Sequence, residues 1–135
     1  MTLRARGDTD AAMNPFLQVA IGGALGSVCR YGIYRLVPPH WASVGLATGL
    51  VNVLGSFAMG LLAALLAHRL GNAWAPLLLT GLLGGFTTFS AFSLDTLAMW
   101  ERGQGMIALT YVAGSVLLSL AAVMAGLALG RGIWA

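Results

Sequence analysis

The sequence predicts an all-α integral membrane protein with four transmembrane helices. Three observations predict it. Only 8 % of the 135 residues are charged and 59 % are hydrophobic, whereas a soluble domain carries about 25 % charge. The charges and helix breakers fall between four long apolar stretches. Each stretch reaches the roughly 20 residues needed to cross a bilayer. So little charge cannot cover a water-facing surface, which excludes an ordinary soluble enzyme and a disordered protein. The net charge of +3 has no basic cluster behind it, so a nucleic-acid binder is excluded too. The single cysteine, Cys29, forms no internal disulfide and is read as a buried small residue.

The first stretch runs from Phe16 to Val37, and Pro38, Pro39 and His40 end it, because proline lacks the helix donor and clashes with the preceding turn. A cleaved leader is not expected: Arg4, Arg6, Asp8 and Asp10 make a mixed start, and no small-residue cleavage pattern follows. The second stretch spans Val44 to Ala67 and stops at His68, Arg69, Gly71 and Asn72. The third spans Pro76 to Trp100, with Asp95 near its end, before the turn Glu101–Gly105. The fourth spans Met106 to Gly130. Loops this short make successive helices antiparallel. Trp41, Trp74, Trp100 and Trp134 fall at helix ends, as interfacial anchors do. His40 and His68 are loop residues without metal-ligand spacing.

Charge leaves the orientation nearly undecided. Arg4, Arg6, Arg69 and Arg131 fall on one side, Arg35 and Arg102 on the other. Met13-Asn14-Pro15 reads as an alternative start, and from there the two sides balance. A chain without a bias in flanking Arg can insert either way round, which permits an antiparallel dimer; a different depth for Arg30 or Arg35 would upset the balance.

Small-xxx-small pairs recur in every span: Gly22/Gly26, Gly45/Gly49, Gly81/Gly85 and Gly126/Gly130. Such pairs let helices approach closely in lipid. In the second span Gly45, Gly49, Asn52, Ser56 and Gly60 share a face. An amide at the depth of Asn52 marks either a pathway or an interhelical hydrogen bond. In the fourth span Tyr111, Ser115 and Ser119 stand at i, i+4 and i+8, a stripe of hydroxyls about 12 Å long, which either lines a route or packs against a neighbour.

The third span is the unusual one. It contains Gly84-Gly85-Phe86-Thr87-Thr88-Phe89-Ser90-Ala91-Phe92-Ser93. Paired glycines followed by two threonines are poor helix material, so the helix is expected to break near Gly84–Thr88. Carbonyls freed at a break can hold a cation, and a half-helix N-terminus can face an anion. Phe86, Phe89 and Phe92 lie three apart among hydroxyls, and aromatic edges carry partial positive charge. Packing and the reception of a small anion are both open to them.

These residues resemble the CrcB/Fluc family of fluoride channels. The third-span run is similar to its signature. Gly22-Gly23-x-x-Gly26-x-x-x-Arg30-Tyr31, Thr48-x-x-x-Asn52-x-x-Gly55-Ser56 and Tyr111-x-x-x-Ser115-x-x-x-Ser119 resemble its patterns in the other spans. Ala47, Gly49 and Ala91 depart from them. The match covers residues 14 to 130. The resemblance implies a dual-topology antiparallel homodimer with two pores that passively export fluoride across the cell membrane, that of a bacterium. It implies that Phe89 and Phe92 meet fluoride edge-on and that Asn52 bonds it near a constriction. Thr88 and Ser90 would be pore hydroxyls, and Tyr111, Ser115 and Ser119 a polar track. Arg30 would lend positive potential to a vestibule. Backbone carbonyls of Gly84 and Thr87, from both subunits, would hold a structural Na⁺. On this reading 14–135 is one channel domain and 1–13 a disordered extension, and the partners are a second copy, fluoride and the bilayer.

Two other classes compete. A proton-coupled small multidrug transporter is also four-helical, but it needs a titratable carboxylate deep in the membrane. Only Asp95, toward a span end, and Glu101, in a turn, are available. A non-transporting assembly subunit would explain the glycine pairs and leave the Gly-Gly-Phe-Thr-Thr run unexplained. An enzyme is not expected, since no serine has a recognisable base partner.

Overall fold

The computed structural model describes residues 13–135. The expected N-terminal extension therefore lies outside the described residues, except for Met13. Helix α1 covers Pro15–Leu36. Asn14 caps it, its side chain accepting from the Phe16 N–H at 2.8 Å, and Pro15 at the first helical position costs no hydrogen bond. Where the sequence suggests only a break, the structure forms a one-turn helix, α2, at Pro39–Ala42. Pro39 starts that turn, the one helical position proline tolerates well.

Gly45 then takes φ +75°, a left-handed conformation open to glycine, and turns the chain into α3, Leu46–Leu65. It is thus the cap before the helix and not part of the helical face expected of it. Helix α3 runs on without a break into a π-helical turn, Leu66–Leu70, three residues beyond the expected end. Gly71, at φ +70°, ends it.

A short 3₁₀ turn, Asn72–Trp74, leads into the third span, which is built in pieces. Pro76–Leu83 is π-helical, Gly84–Phe86 is a single turn, α4, and Phe89–Glu101 is α5. The break occupies Thr87 and Thr88, whose backbones are extended (ψ 159° and 119°). It sits at the C-terminal end of the expected window, because both glycines remain helical. Helix α6, Gly105–Trp134, extends four residues past Gly130.

Four helical segments are long and apolar enough to cross a membrane. Among the described residues only Ala47, Val51, Ala64, Leu66, Leu83, Met99 and Ala108 form a fully buried apolar core. Large side chains such as Val28, Leu117 and Met124 face outward, as lipid permits. Cys29 is exposed as well, contrary to its expected burial: it lies on the outer face of α1, where a small apolar side chain meets lipid without penalty.

Backbone contact between helices replaces the missing core. Helix α1 packs against Pro76–Leu83 and α4, and α3 packs against α6. A Cβ on Gly22 or Gly26 would strike the carbonyl of Leu77 or Leu82. One on Gly60 or Gly126 would strike that of Val123 or Phe57. Three of the four glycine pairs are therefore packing surfaces. At one end, Arg102 Nη2 donates to the Ser43 carbonyl at 2.6 Å and ties the two loops there together.

Candidate functional site

The break in the third span is held by side chains from its neighbours. Asn52, about two turns into α3, meets Thr88 through both its N–H and its carbonyl: Asn52 Nδ2 donates to the Thr88 carbonyl at 2.9 Å, and Asn52 Oδ1 accepts the Thr88 N–H at 2.8 Å. The part-buried amide is thereby paired with the backbone groups that the break exposes. Thr88 also caps α5, since its hydroxyl accepts the Ala91 N–H at 3.2 Å. From α1, Arg30 Nη1 donates to the Thr87 carbonyl at 3.3 Å. Of the two arginines in the first span, Arg30, the one farther from its end, thus lies on the break. Thr87 turns its own hydroxyl to the Leu83 carbonyl at 2.8 Å and its methyl toward Gly55, which has no room for a Cβ.

Beside the break lies an open cleft of about 430 Å³ between α3, α6 and the start of α5. Asn52, Ser56, Thr87, Thr88, Phe89, Phe92, Ser115 and Ser119 line it, with Met59, Leu120 and Val123 at its apolar end. Among the described residues, none that is charged contributes to its wall. Phe89 is 78 % exposed and stands 5.4 Å from Phe92, ring centre to ring centre. The N-terminus of α5 opens here, bringing the positive end of the helix dipole to the cleft.

The hydroxyls divide into two groups. Ser93, Thr96 and Thr110 donate to the carbonyl one turn back in their own helices. Among the described residues, Ser56, Ser115 and Ser119 have no such bond, and all three line the cleft. The structure thus brings together Asn52, Thr88, Phe89, Phe92, Ser115 and Ser119. Ser90 is not in this wall; it is exposed and lies 3.2 Å from the Thr88 hydroxyl. Phe86, on the other side of the break, packs against Gly55.

Tyr111 also lies outside this wall. It lines a neighbouring hollow of about 340 Å³, which shares Ser115 with the first. Its ring stacks at 5.4 Å on Phe92, and its hydroxyl points to Asp95 Oδ2 at 3.4 Å. Asp95 accepts a shorter bond from Thr48, at 2.6 Å. Tyr34 OH stands 3.1 Å from the same Thr48 oxygen, and must be the donor there because Thr48 spends its single proton on Asp95. Sequence reasoning left Asp95 and Thr48 without a role and missed Tyr34. The available signal was spacing: Tyr34 follows Arg30 by one turn, on the face that meets the break.

A profile of the family described as CrcB-like protein, Camphor Resistance (CrcB), matches residues 17–127. A protein of Paracoccus denitrificans (strain Pd 1222), named Fluoride-specific ion channel FluC, is 63 % identical over 89 % of this chain and 97 % of its own. Proteins of the same name from Cereibacter sphaeroides (strain ATCC 17029 / ATH 2.4.9) and Caulobacter vibrioides (strain NA1000 / CB15N) are 54 % and 49 % identical. They match over 89 % and 91 % of this chain, and 97 % and 100 % of their own. By this match and its four spanning helices, the chain is a multi-pass membrane protein that belongs to the CrcB family.

Proposed function

We propose that this chain is a fluoride-selective channel that passively exports fluoride across the cell membrane. One observation carries the reading: a cleft at membrane depth walled by free hydroxyls, an amide and phenyl rings, without a charged side chain. The names of the related proteins supply the ion. Fluoride is small and holds its water tightly, so a pore must replace that water. Ser115, Ser119 and Ser56 can donate protons to the ion, Asn52 retains one free N–H, and Phe89 and Phe92 can offer ring edges. None of these groups carries a fixed charge that would trap the ion. Conduction requires sites strong enough to admit an ion and weak enough to release it.

The cleft is open along one side, and Phe89 stands exposed on it. A second copy is the natural wall. The described basic residues outside the helical interior divide evenly: Arg35 and Arg102 at one end, Arg69 and Arg131 at the other. That balance favours an antiparallel homodimer with two pores.

The same reading includes a structural Na⁺ between the protomers. The carbonyls of Gly84 and Thr87 fit it chemically: a hard cation takes oxygen ligands, and a helix break frees backbone oxygens. Gly84 is exposed and would admit a partner surface. Na⁺ would complete the Gly84 carbonyl and the second lone pair of the Thr87 carbonyl, whose first accepts from Arg30.

Ion efflux from liposomes containing the purified protein tests the proposal. Fluoride is expected to leave rapidly and chloride to stay. Equal fluxes of the two ions would overturn it.

A further inference from the structure

Two backbone donors are missing from the positions a continuous helix would give them. The Thr88 N–H would donate to the Gly84 carbonyl, and the Ala91 N–H to the Thr87 carbonyl, each four residues back. Instead, Thr88 N–H goes to Asn52 Oδ1 at 2.8 Å, and Ala91 N–H goes to Thr88 Oγ1 at 3.2 Å. The two carbonyls deprived in this way are the pair assigned above to Na⁺. From these exchanges we infer that Asn52 and Thr88 are positioning residues for the cation site: their side-chain oxygens capture the two N–H groups that would otherwise close the Gly84 and Thr87 carbonyls.

The inference rests on the sodium reading and adds to it. It gives Asn52 a second task besides facing the ion in the cleft, since Oδ1 and one N–H are committed to the Thr88 peptide and only the other N–H remains. It gives Thr88 a task that needs no contact with fluoride. The two exchanges flank the break, one at the extended Thr88 and one three residues on, at Ala91 in the first turn of α5. Arg30, bonded to the Thr87 carbonyl at 3.3 Å, holds that group in direction and leaves its second lone pair free.

The test measures thermal unfolding of the full-length protein in detergent as Na⁺ replaces N-methylglucamine, beside fluoride efflux from liposomes. The wild type is expected to gain stability with Na⁺. Asn52→Leu and Thr88→Val, which remove the capturing oxygens, are expected to raise the half-saturating Na⁺ at least tenfold. Thr88→Ser, which keeps the oxygen, is expected to stay within threefold of wild type. Should Asn52→Leu not fold, the Thr88 pair decides alone. Reduced fluoride flux with an unchanged Na⁺ dependence in Asn52→Leu and Thr88→Val would overturn the inference and leave the sodium reading standing. A wild type indifferent to Na⁺ would overturn both, and fluoride efflux would then judge the channel reading by itself.

Discussion

At the scale of single residues, the division of hydroxyls is the sharpest feature. A serine or threonine in a membrane helix usually bonds back to its own backbone, as Thr110 does at 2.9 Å. Ser115 and Ser119 do not, and both face the cleft. Replacing both by alanine is expected to lower fluoride efflux about tenfold, which corresponds to about 1.4 kcal/mol of barrier. Thr110→Val, outside the cleft wall, is expected to leave it within twofold. Phe89→Ile and Phe92→Ile keep the bulk and remove the ring edges. Each is expected to cut efflux by at least tenfold, with elution as an assembled species unchanged by gel filtration. The hydroxyl stripe was legible in the sequence from its i, i+4, i+8 spacing. The partners of Tyr111 were not, since Thr48 and Asp95 are 47 residues apart and meet only through tertiary packing.

Between elements, glycine does the work that a hydrophobic core does in water. Lipid offers helices no hydrophobic drive to associate, so close backbone approach and many small contacts must hold them. Gly26 lies against the Leu82 carbonyl, whereas nothing lies within 4 Å of the Cβ position of Gly32 or Gly114. Gly26→Val is expected to cost about 1–3 kcal/mol through overpacking, read as a lower unfolding temperature in detergent. Gly114→Ala is expected to change stability by no more than about 0.5 kcal/mol. Sequence alone marked the glycine pairs without separating these cases. Gly45 and Gly49 have the same spacing as Gly22 and Gly26, yet Gly45 caps a helix with a left-handed backbone. Spacing encodes a shared face only where the chain is already helical, and the turn that precedes α3 is set by Pro38 and Pro39 upstream.

For the molecule as a whole, the scarcity of charge acts twice. Among the described residues it leaves the two ends of the bundle with two arginines each, and it leaves the cleft wall neutral. If two copies pair in opposite senses, single cysteines placed near Arg102 in a Cys29→Ala background will react with impermeant reagents from both faces of the membrane. Labelling from one face alone would exclude that arrangement. In the proposed dimer, the open side of the cleft with its unbonded serines is the surface that the second copy would cover.

The sequence by itself determined the class, the number of spans and the place of the break to within a few residues. Those follow from local rules: apolar length, the cost of charge in lipid, and the low helix propensity of Gly and Thr. It also marked Asn52 as a polar group in need of a partner. Only the tertiary structure decided which partner. Asn52 lies 36 residues from Thr88 in the chain, and no periodicity links an α3 amide to a peptide group in another span. Packing α3 against the break brings the two within 2.8 Å, because a part-buried amide and an opened peptide each lower the other's desolvation cost when they pair.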